Sequence, residues 1–217
     1  MNIIPIHTHT TTEYDQLRGD IYALLASLLR SAPTQDALAW LQALQPDGDD
    51  NPDMLKAWSA LALTAQHSKT EAVAQEYQDL FIGVGRGELM PFGCWYLTGS
   101  LMERPLVTLR EDLKHLGYER QKEVYEPEDH IAALCEVLSL MVSQDHSYSH
   151  QYRFLQRHLF PWAFAFFTDL QTANNAYFYA PVGLLAHTFF QQEKTYFQQL
   201  SPAQLNTDNK NDRRELA

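Results

Sequence analysis

The segment YDQLRGDIYALLASLLRSA, which runs from Tyr14 to Ala32, indicates the class of fold. Its large apolar residues recur with a period of about 3.6, so winding the segment as an α-helix places them on one face. A helix with one apolar face is stable when that face packs against other helices. Pro33 follows directly and ends the predicted helix. The apolar face consists of Leu17, Ile21, Leu24, Leu25, Leu28 and Leu29.

The same period continues along most of the chain, and almost no run alternates polar and apolar residues as a strand does. The sequence therefore predicts an all-α fold of about eight to ten helices. We expect a single domain over residues 1–217, with mobile ends at 1–12 and 206–217. The further helical segments are TQDALAWLQALQ, DMLKAWSALALTAQ, TEAVAQEYQDLFIG, RPLVTLREDLKHLG, IAALCEVLSLMVSQD, SYSHQYRFLQRHLFPWAFAFFTDLQ (broken or kinked at Pro161) and APVGLLAHTFFQQEKTYFQQL.

The composition of the chain argues against several classes of protein. The net charge of -11 argues against a nucleic-acid-binding protein and permits a partner with basic residues, although acidity more often serves solubility. The two cysteines, Cys94 and Cys135, form no CxxC pair and predict neither a disulfide framework nor a zinc site. The N-terminal MNIIPIHTHTTTEYD lacks the features of a secretory signal, and LFPWAFAFF is too short to span a bilayer. We expect a cytoplasmic protein without membrane insertion.

A glycine-rich segment, GVGRGELMPFGCWYLTGS (83–100), interrupts the helices. It carries the aromatic residues Phe92, Trp95 and Tyr96, fits no amphipathic helix, and is predicted to be a loop that is functional or packed on itself. GVGRG lacks both a GK[ST] ending and a preceding strand, which favours a tight turn over a phosphate cradle. This loop and the connector YERQKEVY (118–125), which is predicted to be extended, are candidates for a hinge between two groups of helices.

Residues for metal binding or catalysis do not form a complete set. His146 and His150 have the i, i+4 spacing of two ligands on a helix face, but no further ligand completes the site. Cys94 lies in the aromatic loop without a recognisable base and orienting acid. The sequence therefore predicts no catalytic residue and no metal ligand.

The run EPEDH, Glu126 to His130, allows two interpretations. Pro127 suits the first position of a helix, and Glu128 and Asp129 would then lie in the first turn, where carboxylates complement the helix dipole. Alternatively, these carboxylates together with His130 accept a guanidinium group from a basic partner. His130 at a helix start is expected to be neutral unless a neighbouring carboxylate holds its proton.

Several motifs in combination resemble the TorD/DmsD/NarJ-like family of chaperones that mature molybdenum-containing reductases. The resemblance covers roughly residues 75–165 and is strongest to the TorD branch. It includes the late segment HLFPWAFAFF, which is similar to the L-x-PW segment of the family. The other matching positions are Tyr77, Leu80, Phe81, Gly83, Pro91, Tyr96, Gly99, Leu101, Pro105, Leu106, Leu109, Arg110, Glu126, Pro127, Asp129 and His130.

The resemblance implies an all-helical protein without enzymatic activity or a cofactor of its own. Such a chaperone binds the twin-arginine leader and the apo form of a molybdopterin-dependent reductase, here a trimethylamine-N-oxide (TorA-like) reductase. It protects this client and assists insertion of the client's molybdopterin cofactor before export. The acids of EPEDH would hold the arginines, and an apolar groove formed by Leu80, Phe92 and the apolar face of the 131–142 helix, among others, would hold the rest. The expected partner-binding residues are Glu126, Pro127, Asp129, His130, Trp95, Tyr96 and Phe81.

Other readings stay open beside this one. One alternative hypothesis is a nucleotide-binding or GTP-hydrolysing helical protein that uses GVGRG. Another is an adaptor for another respiratory reductase. Exchange of helical groups through the long loop would give a homo-oligomer. Any single apolar side chain of the expected groove is more often a core residue, and Arg110 is expected to pair with a local acid.

Overall fold

The computed structural model describes residues 12–47 and 51–205, and over these ranges the chain forms α-helices and no strand. The all-α prediction is confirmed. The ends that were predicted to be mobile lie outside the described residues, apart from Thr12. The helices are α1 (Glu13–Arg30), α2 (Gln35–Gln42), α3 (Pro52–Gln66), α4 (Thr70–Tyr77), α5 (Gly93–Thr98), α6 (Arg104–His115), α7 (Ile131–Ser143), α8 (Tyr148–His158), α9 (Ala163–Thr172), α10 (Tyr179–Gln199) and α11 (Pro202–Leu205), and a π-helical turn at Gln78–Ile82 extends α4.

Local capping signals define several of the helix starts. The side chain of Thr34 accepts a hydrogen bond from the third amide of α2, and Asn51 does the same for α3, with Pro52 at the first helical position. Thr12 and Asp15 form a capping box at α1. Caps of this kind stabilise a helix by about 1 kcal/mol each, because they satisfy amides that have no partner inside the helix.

The helices share one hydrophobic core. Helix α1 lies along α7, and α10 packs against α9 and α3. Four of the six apolar residues singled out in α1 are buried, Leu24 is half-buried, and Leu17 is 54% exposed. The predicted apolar face is therefore correct apart from its first residue.

Arg18 is buried beside that exposed leucine and forms the centre of a polar network. Its guanidinium donates to both carboxylate oxygens of Glu193 on α10, at 2.7 and 2.8 Å, and to Asp15 at 2.9 Å. It also donates to Gln151 on α8, and the hydroxyl of Tyr22 donates to Glu193 at 2.8 Å. Every charge in this cluster has a partner, as a buried charge requires.

Three local details of the structure bear on the predictions made from the sequence. The break at Pro161 is confirmed, because α8 ends at His158 and α9 begins at Ala163. The connector that was predicted to be extended, residues 118–125, is irregular and contains one turn at Lys122 and Glu123. The helix count rises to eleven within the described residues, since α5 forms inside the predicted loop and α11 is a single short turn. None of the described helices has both the length and the apolarity needed to cross a bilayer.

Candidate functional site

The GVGRG segment is a turn packed tightly on itself. Gly83 has a φ of +61°, and a Cβ atom there would lie 2.1 Å from the carbonyl oxygen of Arg86. A Cβ atom at Gly87 would lie 2.6 Å from the carbonyl oxygen of Leu80. The interpretation as a turn is therefore confirmed, because only glycine allows these approaches. Three amides of the turn already donate to backbone carbonyls: Gly83 to Gln78 at 2.6 Å, Glu88 to Asp79 at 3.2 Å and Leu89 to Leu80 at 2.8 Å.

The aromatic part of the segment that was predicted to be a loop contains the six-residue helix α5. The N-cap residue of α5, Phe92, provides no side-chain hydrogen bond to the helix. Asp129 supplies the missing acceptors instead: its carbonyl accepts from Gly93 at 2.9 Å and its carboxylate from Cys94 at 2.7 Å. Two amides at the start of α5 are thereby satisfied by a residue distant in sequence.

The EPEDH run is thus bonded directly to the aromatic loop. Phe92 and His130 form an isolated antiparallel bridge, and the amide of Ile131 donates to the carbonyl of Pro91 at 2.9 Å. Asp129 is 5% exposed, so its carboxylate faces the loop rather than solvent. The geometry makes this junction, rather than EPEDH alone, the structural unit.

The predicted helix start at Pro127 is wrong. Helix α7 begins at Ile131, and His130 is its N-cap, with Nδ1 accepting from the amide of Ala132 at 3.1 Å. The preceding residues form a turn, closed by the amide of His130 and the carbonyl of Pro127. His130 has extended backbone angles because it pairs with Phe92, and this keeps Pro127 out of the helix.

His130 is neutral at physiological pH, as expected. Burial lowers its pKa to about 4, against the opposing effect of the Glu126 carboxylate. Since Nδ1 accepts the cap hydrogen bond, the ring proton is on Nε2. The ring packs edge-on against Phe92, with the centroids 5.1 Å apart. The aromatic contact and the cap together hold this imidazole at the junction.

Glu128 is bound to two arginines. Its carboxylate accepts from Arg110 at 2.8 and 3.0 Å, and it forms an ion pair of 3.3 Å with Arg120. Burial raises the pKa of Glu128, but the bond from Arg110 and the two positive charges outweigh it, so the pKa is lowered overall. The expectation that Arg110 pairs with a local acid is confirmed.

Glu126 is the carboxylate of EPEDH that faces solvent, while Pro127 beside it is half-buried. Within residues 12–47 and 51–205, the Glu126 carboxylate has no hydrogen-bond or ion-pair partner, and only its backbone carbonyl is contacted, by Arg120. Nearby, Arg30 on α1 forms a two-pronged ion pair with Glu136 on α7, at 3.2 and 2.5 Å, and about half of each side chain is exposed. The Glu126 carboxylate is therefore exposed and unpaired, with Arg30 and Arg120 in its surroundings.

The three aromatic residues of the expected site have different environments. Phe81 is buried against Tyr77 and Tyr179. Trp95 and Tyr96 are half-buried, and the hydroxyl of Tyr96 donates to Asp169 at 2.8 Å. Contact of Phe81 with a partner stays a prediction, and it would require the side chain to leave the core.

The expected apolar groove is not formed by Leu80 and the apolar face of α7. Leu80 is fully buried, and the α7 face packs in the core against α1. Exposed apolar side chains occur instead just beyond the aromatic loop, on the end of α5, the following turn and the start of α6. We call them the apolar strip: Leu97, Leu101, Met102 and Val107.

The remaining predicted motifs do not add to the site. His146 lies before α8 and His150 inside it, so the two do not share one helix face. Across the described ranges, no three His, Cys, Asp or Glu side chains converge as a metal site would require. Sequence reasoning missed the acceptor role of Asp129, because the start of α5 carries no local signal of its cap.

Comparison with known proteins places this geometry in context. The family model described as "Nitrate reductase delta subunit" matches residues 47–168. A Haemophilus influenzae protein named "Probable Tat proofreading chaperone DmsD" is 27% identical over 153 residues, which covers 65% of this chain and 74% of that protein. A Vibrio cholerae protein named "Chaperone protein TorD" is 24% identical over 201 residues, covering 83% of this chain and 91% of that protein.

A solved structure has the same fold. It is the crystal structure of an Archaeoglobus fulgidus protein assigned to redox enzyme maturation, with a TM-score of 0.55 and 18% identity. The match covers 88% of this chain and 99% of the archaeal chain.

Proposed function

Because this chain belongs to the nitrate reductase delta subunit family, which includes the TorD/DmsD/NarJ-like chaperones, we propose that it is a maturation chaperone for a molybdopterin-dependent reductase. It binds the twin-arginine leader and the apo form of that client in the cytoplasm. The chaperone names of the two relatives support this class of function. The proposed client is a trimethylamine-N-oxide reductase, as the resemblance of the sequence to the TorD branch implies. The protein itself performs no turnover, and the molybdopterin cofactor belongs to the client.

The observation that carries the proposal is the position of Glu126. It is an exposed carboxylate close to the buried His130, whose ring packs against the half-buried Phe92, and its own side chain has no hydrogen-bond or ion-pair partner among the described residues. A leader arginine offers a planar guanidinium that binds a carboxylate through two hydrogen bonds. Glu126 is therefore assigned the role of receiving one guanidinium of the arginine pair.

Asp129 and His130 have a different role in this proposal. The Asp129 carboxylate is bonded to an amide of α5, and the Nδ1 atom of His130 caps α7. Both groups hold Phe92 and the end of the EPEDH run in place. They act as positioning residues, and the leader contacts Glu126 and the half-exposed rings of Phe92 and Trp95.

The apolar strip provides the surface for the rest of the leader. Twin-arginine leaders continue from the arginine pair into an apolar segment. The strip starts at the end of α5, directly after the aromatic loop, and its most exposed members are Met102 at 66% and Val107 at 54%. Binding an apolar segment there removes exposed apolar surface from water, which favours association. Ordering a flexible leader offsets much of that gain, so we expect micromolar affinity, near -8 kcal/mol.

Calorimetric titration with a synthetic trimethylamine-N-oxide reductase leader tests the proposal. The matched control is the same leader with both arginines replaced by lysines, since lysine keeps the charge but not the planar fork. Micromolar binding that weakens at least several-fold with the lysine leader supports arginine recognition. If the protein binds neither the leader nor the apo reductase, the proposal is wrong.

A pull-down from cells separates the client classes. A trimethylamine-N-oxide reductase as the dominant partner supports the proposed client. A nitrate reductase as the dominant partner would instead support the hypothesis of an adaptor for another respiratory reductase.

A further inference from the structure

Arg86 stacks on the indole of Trp95. Its guanidinium carbon lies 4.5 Å from the centre of the ring. The side chain is exposed, and no carboxylate in residues 12–47 and 51–205 forms an ion pair with it. The stack on Trp95 is therefore the contact that the structure gives the Arg86 guanidinium.

The turn that carries Arg86 has a fixed base and a free tip. The base is closed by the tight approaches at Gly83 and Gly87 and by the hydrogen bonds of the two following amides to the π-helical turn. At the tip, Val84 is fully exposed, and a Cβ atom at Gly85 would meet nothing within 4 Å. The tip can therefore move without disturbing the core, and Arg86 can leave the ring at low cost.

Trp95 belongs to the surface that we assign to the leader. It lies in the first turn of α5, three residues after the N-cap residue Phe92, and both side chains are half-buried. A guanidinium stacked on tryptophan is the preferred form of the cation–π contact. The face covered by Arg86 is thus one on which a leader arginine would bind.

We infer that Arg86 is an internal competitor of the leader, which covers Trp95 until an incoming arginine displaces it. This inference rests on the proposed function. In the free protein, Arg86 on the GVGRG turn covers part of the binding surface. Binding therefore depends on a ligand with an arginine pair, which can displace Arg86. A weakly basic or purely apolar segment would leave the cover in place.

The test measures the affinity of the leader for wild type and Arg86→Ala. Removal of the competitor is expected to tighten binding about two- to five-fold, the range expected for an exposed cation–π contact. Arg86→Ala also removes one positive charge from the protein, and this alone would favour binding of a cationic leader. Arg153→Ala removes the same charge at another place and serves as the control. Arg153 is exposed on α8, away from the loop in sequence, and its loss should change affinity less.

A double-mutant cycle separates stacking from charge. In a Trp95→Leu background the Arg86→Ala change should no longer tighten binding, because there is no ring to uncover. A gain that persists in that background, or equal affinity of Arg86→Ala and wild type, overturns the inference while the proposed function stands. If no variant binds the leader, the competitor role is overturned, and the proposed function itself fails when the apo reductase does not bind either.

Discussion

The carboxylate of Asp129 accepts a hydrogen bond of 2.7 Å from the backbone amide of Cys94, 35 residues earlier in the chain. This bond caps α5 and joins the EPEDH run to the aromatic loop. Because of this bond, the Asp129 carboxylate points away from solvent. Substitutions at Asp129 are therefore expected to act through the fold, whereas substitutions at Glu126 act on the partner.

Asp129→Ala should lower the free energy of unfolding by about 1–3 kcal/mol, because the buried amide of Cys94 loses its acceptor. Asp129→Asn retains a carbonyl acceptor and should lose less. Urea unfolding checks both, with Glu126→Gln as an exposed control that changes stability by less than about 0.5 kcal/mol. An Asp129→Ala protein that is as stable as wild type but has lost leader binding would identify Asp129 as a direct contact instead.

His130 should make stability depend on pH between about 4 and 6.5. Its pKa in the folded protein, about 4, is depressed below the ordinary value of 6.5, so in this window the unfolded chain takes up a proton that the native protein excludes. The contribution is fully present above pH 6.5, and stability is lost as pH falls through the window, by up to about 3 kcal/mol.

Urea unfolding at a series of pH values measures this effect. His130→Asn keeps an acceptor at the N-cap but cannot titrate, so its stability should fall less steeply between pH 6.5 and 4.5. Other groups with lowered pKa values, including His158 and Glu128, contribute equally to both proteins. Parallel slopes for the two proteins would show that His130 is not the group responsible.

Gly87→Ala should be more damaging than Gly85→Ala. A Cβ atom at Gly87 would lie within 2.6 Å of backbone atoms of Leu80 and Phe81. Backbone atoms, unlike the end of a flexible side chain, cannot shift on their own to make room. We expect a loss of about 1–3 kcal/mol, as for other overpacked sites. At Gly85 a Cβ atom meets no neighbour, and only the φ of +87° opposes substitution. Thermal unfolding ranks the two variants, and the reverse order would contradict the self-packed turn.

The buried Arg18–Glu193 pair should be costly to break on one side only. Arg18→Met leaves Glu193, which is fully buried, without its charge partner, and should cost about 3–5 kcal/mol. The double change Arg18→Met, Glu193→Leu removes both charges and should recover a large part of that loss. As a control, Arg30→Met breaks a half-exposed pair and should cost about 1 kcal/mol or less. A double variant less stable than either single one would contradict this account.

Much of the fold could be predicted from local sequence signals. Apolar periodicity located the helices, and Thr34, Asn51 and Pro161 marked boundaries that the structure shares. These signals succeed because a helix start or stop is decided within a few residues. The glycine turn was predictable for the same reason, since its close approaches lie within ten residues of sequence.

The features that sequence reasoning missed depend on residues far apart in the chain. Helix α5 is capped by Asp129 rather than by a neighbour, so its start carries no local signal. The start of α7 moved from Pro127 to Ile131 because His130 pairs with Phe92. The burial of Arg18 in place of Leu17 follows from Glu193, 175 residues away. Local propensity gave no indication of any of these tertiary contacts.

The most direct test of leader recognition at the junction compares Glu126→Gln with Glu123→Gln in titrations with the twin-arginine leader. Both residues are exposed acids, in EPEDH and in the connector just before it, so the two variants lose the same charge. We expect Glu126→Gln to weaken binding on the order of tenfold, as loss of a charge-assisted hydrogen bond would, and Glu123→Gln to bind nearly as well as wild type. Equal affinity of both variants and wild type would contradict the assignment of Glu126 as the arginine-binding residue.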